Sequence, residues 1–162
     1  MPKYLSIYLN DHLAVLAGSQ ELATRSLESN GGTALGEFLQ EVVESLDEDR
    51  AALVALMEDR DITQNWAKSG GAWLAERVGR LKLNGEITGY SPLSRLVETE
   101  GVELALHAKR SFWDTLSEVG VSHAGGRPTS ELANRTNQHI ERMKAFRLAA
   151  AQEALGSEVP VT

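Results

Sequence analysis

Apolar residues recur along this chain every three or four positions, the period of an α-helix, and almost nowhere alternate as a half-buried strand requires. The first stripe is Leu5, Leu9, Leu13 and Leu16, flanked by Tyr8 and Val15, and it predicts a helix over 4–29. Asn30, Gly31 and Gly32 end it, since glycine accepts the left-handed conformation that closes a helix. Thr33 then supplies a capping oxygen for a second helix, whose stripe of Leu35, Leu39, Val42, Leu46, Leu53 and Leu56 runs to about Glu58.

A third helix is expected over 64–83 on the period of Trp66, Trp73, Leu74, Val78 and Leu81, although it must accommodate Gly70, Gly71 and Gly79. "LNGEITGYSP" reads as a loop ending in Ser91 as N-cap and Pro92 at the first helical position, where a missing N–H is harmless. From there a helix is expected over 92–119 on the stripe Leu93, Val97, Gly101, Leu104, Ala108, Phe112, Thr115 and Val119. Val102, Leu106 and Trp113 form a second apolar edge on nearly the opposite side. "HAGGRP" reads as a flexible break, followed by a helix over 129–155 with Leu132, Ile140, Met143, Phe146, Ala150 and Leu155 on one face.

Long helices joined by short turns lie antiparallel. The expected fold is therefore all-α, an antiparallel up-down four-helix bundle with an additional C-terminal helix. It forms one domain over 1–156 with a flexible tail at 157–162. The double-faced helix at 92–119 needs two sets of neighbours. If Val102, Leu106 and Trp113 project away from the core, either the C-terminal helix covers them or they mark an interface, and the expected assembly is a homodimer in which Trp113→Glu yields folded monomer.

Composition narrows the classes of function. The 162 residues are 42% hydrophobic and 24% charged, ordinary values for a globular protein. No cysteine is present, which excludes disulfides, thiolate metal sites and cysteine nucleophiles. No basic segment followed by an apolar run opens the sequence, and no apolar stretch reaches membrane-spanning length, so the expectation is a cytoplasmic protein without a membrane partner. A net charge of −7 argues against nucleic acid, whose phosphates require a basic surface. Between Glu37 and Asp61, nine carboxylates stand against Arg50 and Arg60, so this segment alone accounts for the whole net charge. Such a run is a solvated helix face or, alternatively, the docking face of an acidic adaptor.

Three groups of polar residues are candidates for chemistry. In the first hairpin Asp11 and His12 lie opposite residues 51 and 52, so Asp49 and Arg50 fall within about one helical turn of them. Asp49 shares the stripe of Leu46, Leu53 and Leu56 and should point inward, with Arg50, His12, Lys68 and Arg77 as candidate partners. This cluster reads as a structural hydrogen-bonded network or a ligand site. If it is a buried pair, Asp49→Leu should be milder than Asp49→Ala. Glu100, Glu103 and His107 share one side of the helix at 92–119, a surface pair or a carboxylate–imidazole metal site. Arg77, Arg80, Lys82 and Arg95 make a locally basic patch that could hold an anion or an acidic partner segment.

Di-metal bundles place Glu-x-x-His on two helices. Three residues before His12, His107, His123 and His139 stand Leu9, Leu104, Gly120 and Thr136, so the motif is absent, and no metal or other cofactor is expected. Phosphate-loop, dinucleotide and nucleophile-elbow motifs are absent too.

The stretches "YLNDHLA", "DEDRAAL", "GRLKLNG" and "GYSPLSRLVE" resemble a family of uncharacterised bacterial proteins common in actinobacteria, over roughly residues 4–120. The resemblance implies a ferritin-like bundle without the iron-binding motif. It implies no catalytic activity, and it leaves a degenerate metal site as the alternative.

Overall fold

The computed structural model describes residues 3–65 and 89–159. Among them are four helices, α1 (Lys3–Ser29), α2 (Ala34–Glu58), α3 (Pro92–Glu118) and α4 (Thr129–Leu155), and two short strands, β1 (His123–Ala124) and β2 (Arg127–Pro128). The chain is all-α in class. Of the helix expected over 64–83, Gln64 and Asn65 are non-helical and the remainder lies outside the described residues.

The caps act as their chemistry requires. Thr33 accepts the Gly36 N–H at 3.1 Å, and Ser91 accepts the Ser94 N–H at 3.0 Å with Pro92 in the first turn. α1 and α2 fold back on each other as one hairpin, α3 and α4 as another, and the hairpins meet mainly along α1 and α3. Contacts between Arg25 and Glu98 and between His12 and Phe112 make α1 and α3 antiparallel. Glu48–Arg135 and Glu41–Arg142 do the same for α2 and α4. The shared core takes Leu9, Leu13 and Leu16 from α1, Phe38, Val42 and Leu53 from α2, Val102, Leu106 and Trp113 from α3, and Leu132, Ile140 and Met143 from α4.

The C-terminal helix is no accessory, because among the described residues α4 makes the most extensive helix–helix contact, with α3. In addition, of the stripe expected to face inward on α3 only Phe112 is fully buried, and the second edge is the buried one. Leu93, Leu104 and Val119 are exposed, whereas Val102, Leu106 and Trp113 are buried at 2%, 1% and 0% exposure. The edge from which a homodimer was argued is thus covered within a single chain. The buried face also carries Glu98 and Lys109, and those charges make it look like the outer one in the sequence.

The connection from α3 to α4 is not a flexible break either. His123 pairs with Pro128 and Ala124 with Arg127, around a two-residue turn with φ of +55° at Gly125 and +78° at Gly126. Two positive φ values in succession are what a tight hairpin turn needs, which is why two glycines stand there. A Cβ on Gly125 would lie 2.9 Å from the Ala52 Cα of α2, while one on Gly126 would meet open space. Gly125→Ala should therefore lower stability by about 2 kcal/mol, from left-handed strain plus overpacking. Gly126→Asn should be nearly neutral, since asparagine tolerates that conformation. Urea unfolding of the two variants checks this, and equal losses would contradict the close packing of Gly125 on α2.

Candidate functional site: a buried charge cluster

Ser45 and Asp49 lie one turn apart on α2, so both face inward with Leu46 and Leu53. Lys109 stands three residues after Leu106 and four before Trp113, which places it on the buried face of α3. Arg135 and His139 are likewise one turn apart on α4. These helices bring their polar residues to one place.

Lys109 is 1% exposed and Asp49 0%. The Lys109 ammonium donates to Asp49 Oδ2 at 2.5 Å and to Ser45 Oγ at 2.9 Å, and Ser45 in turn lies 3.5 Å from Oδ2. Asp49 Oδ1 accepts from Arg135 Nη2 at 3.0 Å. Arg135 Nη1 binds Glu48, which also accepts from Arg127 at 3.0 Å. Two cations thus share the buried carboxylate, and the exposed Glu48 balances the second. Burial lowers the Lys109 pKa, and the Asp49 carboxylate opposes that shift. The hydrogen bond from Arg135 holds Glu48 below the usual carboxylate range. Both Asp49 oxygens are occupied and the ammonium is sealed from solvent, so this arrangement fixes charge in place and presents no free base or nucleophile.

A second network joins the α1–α2 turn to the start of α3. Asn30 Nδ2 donates to the Ser26 carbonyl and to Tyr90 Oη, both at 2.8 Å, and Tyr90 donates to Glu98 at 2.9 Å. Arg95 Nε donates to Asn30 Oδ1 at 3.1 Å, and its Nη1 reaches Glu153 at 2.6 Å. Burial, opposed by the hydrogen bond from Asn30, pushes the Tyr90 pKa up to about 12.

Asp49 points inward as its stripe predicts, but its partners are Lys109, Ser45 and Arg135, not Arg50 or His12. Asp11 and Arg50 are exposed. His12 is half-buried, stacked on Phe112 at 4.5 Å with Tyr8 edge-on at 4.5 Å, and burial lowers its pKa against the pull of Asp11. Asn10 is buried and holds the chain beyond α2, donating to the Thr63 carbonyl at 3.2 Å and accepting from the Asn65 N–H. Glu103 accepts from Arg147 of α4 and lies 4.0 Å from His107, which is exposed, as is Glu100. Among the described residues no group of three or more histidine and carboxylate side chains is placed to hold a metal ion. Of the basic patch, Arg95 belongs to the second network, and Arg77, Arg80 and Lys82 lie outside the described residues.

Sequence reasoning missed Lys109 and Arg135. The signal for Lys109 was its position on the stripe of Leu106, Phe112 and Leu116, all buried. Among the described residues no helix is long and apolar enough to cross a membrane. Comparison with known protein families, with characterised proteins and with solved structures yields no match for this chain.

Proposed function

We propose that the chain is a non-catalytic helical-bundle protein, ferritin-like in architecture, that works through contacts on its surface. The observation that supports this reading is the closed charge cluster. Metal-binding bundles aim carboxylates and imidazoles inward with lone pairs free for the ion. Here the inward carboxylates are engaged, Glu98 by Arg25 and Tyr90 and Asp49 by Lys109 and Arg135, so at Asp49 an ammonium occupies the position a cation would need.

Protein purified without chelator should carry well below one iron, manganese or zinc ion per chain, and added metal should not raise its melting temperature. Stoichiometric metal that is lost in His12→Ala or His107→Ala would overturn the reading. The surface suited to a partner is the acidic edge of α2 and its C-terminal turn. There Glu37, Glu44, Glu58, Asp59 and Asp61 remain exposed, while Glu41 and Glu48 are bound by arginines from the rest of the chain. A basic partner on that edge should be retained at low salt and released at high salt, because screening weakens contacts between exposed charges.

A further inference from the structure

The backbones of α2 and α4 approach closely at few points, and their seam is spanned by long side chains. Arg135 binds Glu48 and Asp49, and two helical turns further on Arg142 grips Glu41 through Nη1 and Nη2, with Nη2 at 3.0 Å from Oε1. Arg142 also lies over the Phe38 ring at 4.4 Å. Between the two arginines on the same face of α4 sits His139. It is 7% exposed, edge-on to Phe38 at 5.9 Å, and its Nδ1 is buried with no hydrogen-bond partner.

The charged groups that act on this ring come from three helices, Lys109 of α3, Arg135 and Arg142 of α4 itself and Glu41 of α2. Glu48 and Asp49 of α2 pair with these cations. Three carboxylates face three cations, so a neutral ring leaves the seam balanced. A proton on His139 adds a fourth positive charge, and it either creates a buried N–H donor at Nδ1 without an acceptor or charges a ring already short of partners. Neither is tolerated in a dry site.

We propose that His139 makes the α2–α4 seam an acid-sensitive latch, in which protonation of the imidazole releases α4 from α2. Histidine is the side chain suited to this because its charge changes in mild acid. Burial, and then Lys109, Arg135 and Arg142, outweigh the opposing pull of Glu41 and lower its pKa from 6.5 to about 4. The folded value lies below the unfolded one. The stability that the neutral ring contributes is therefore complete above about pH 6.5 and is lost as the pH falls toward 4. Glu41 and Glu48 are also held below their ordinary range by their arginines, so their protonation at still lower pH acts in the same direction.

The test uses the full chain and three proteins: wild type, His139→Gln and, as control, His12→Gln. Between pH 7 and pH 5 the titration of His139 alone should raise the wild-type unfolding constant about 20-fold. His139→Gln should lack that component and His12→Gln should keep it. In hydrogen exchange at pH 5, segments 38–49 and 135–146 of the wild type should lose protection before 13–27 of α1 does. The His139 ring, followed by NMR, should titrate near 4. An undiminished pH dependence in His139→Gln, a ring that titrates near 6.5, or loss of protection uniform over all helices would overturn the latch. If His139→Gln does not fold, the exchange and NMR measurements on the wild type decide the question.

Discussion

Asp49→Leu and Lys109→Met should each lower stability by about 3–5 kcal/mol, and the double replacement should lose less than either alone. Asp49→Leu leaves the fully buried Lys109 ammonium without a counter-ion, and Lys109→Met leaves the fully buried Asp49 with one of its two cations. Lys109 would retain only the Ser45 hydroxyl, and Asp49 only Arg135 and Ser45. Judged by volume alone, leucine at position 49 should be milder than alanine. Both variants strand the ammonium equally, so that ranking stands, but the cavity becomes the smaller term and both losses are large. In the double variant both charges go and the methionine and leucine side chains refill the space, so the desolvation penalty of the pair disappears with its attraction. Urea unfolding at pH 7 of the wild type, the two singles and the double closes the cycle. Additive losses would show that the two residues are not coupled.

Trp113→Ala should lower stability by about 3–5 kcal/mol, as expected for a large aromatic removed from a packed core. Trp113→Glu should not fold. Trp113 is 0% exposed and packs against Phe112 at 4.6 Å between ring centres. Its indole N–H is buried without a partner, so Trp113→Phe leaves no acceptor stranded and should be the mildest of the three changes. Circular dichroism separates this account from the one in which Trp113 forms an interface. A Trp113→Glu protein that kept its helical content and only changed oligomeric state would refute burial within the chain.

Much of the fold was legible where local chemistry decides it. Thr33, Ser91 and Pro92 mark helix starts in the sequence and do so in the structure. Asp49 was legible as an inward residue because its spacing from Leu46, Leu53 and Leu56 admits no other face. What failed depends on partners remote in sequence. α3 carries two apolar faces, and periodicity cannot tell which is buried. Lys109 and Glu98 made the buried face look solvated, because the groups that neutralise them, Asp49 and Arg25, come from other helices. The hairpin at 123–128 escaped notice for another reason, since strands of two residues are too short for an alternating pattern to appear.

The arrangement of the two helical hairpins also orders events in time. Within each hairpin the partners are neighbours along the chain, so little loop entropy opposes their meeting. The contacts that bind the hairpins to each other join residues 60 positions apart for Lys109 and Asp49, 86 for Arg135 and Asp49, and 101 for Arg142 and Glu41. Such long-range pairings carry a larger loop-closure cost than the contacts within a hairpin, so they are expected to form after them. They therefore act on the rate of unfolding, and the buried ions set how long the folded chain persists more than how quickly it is reached.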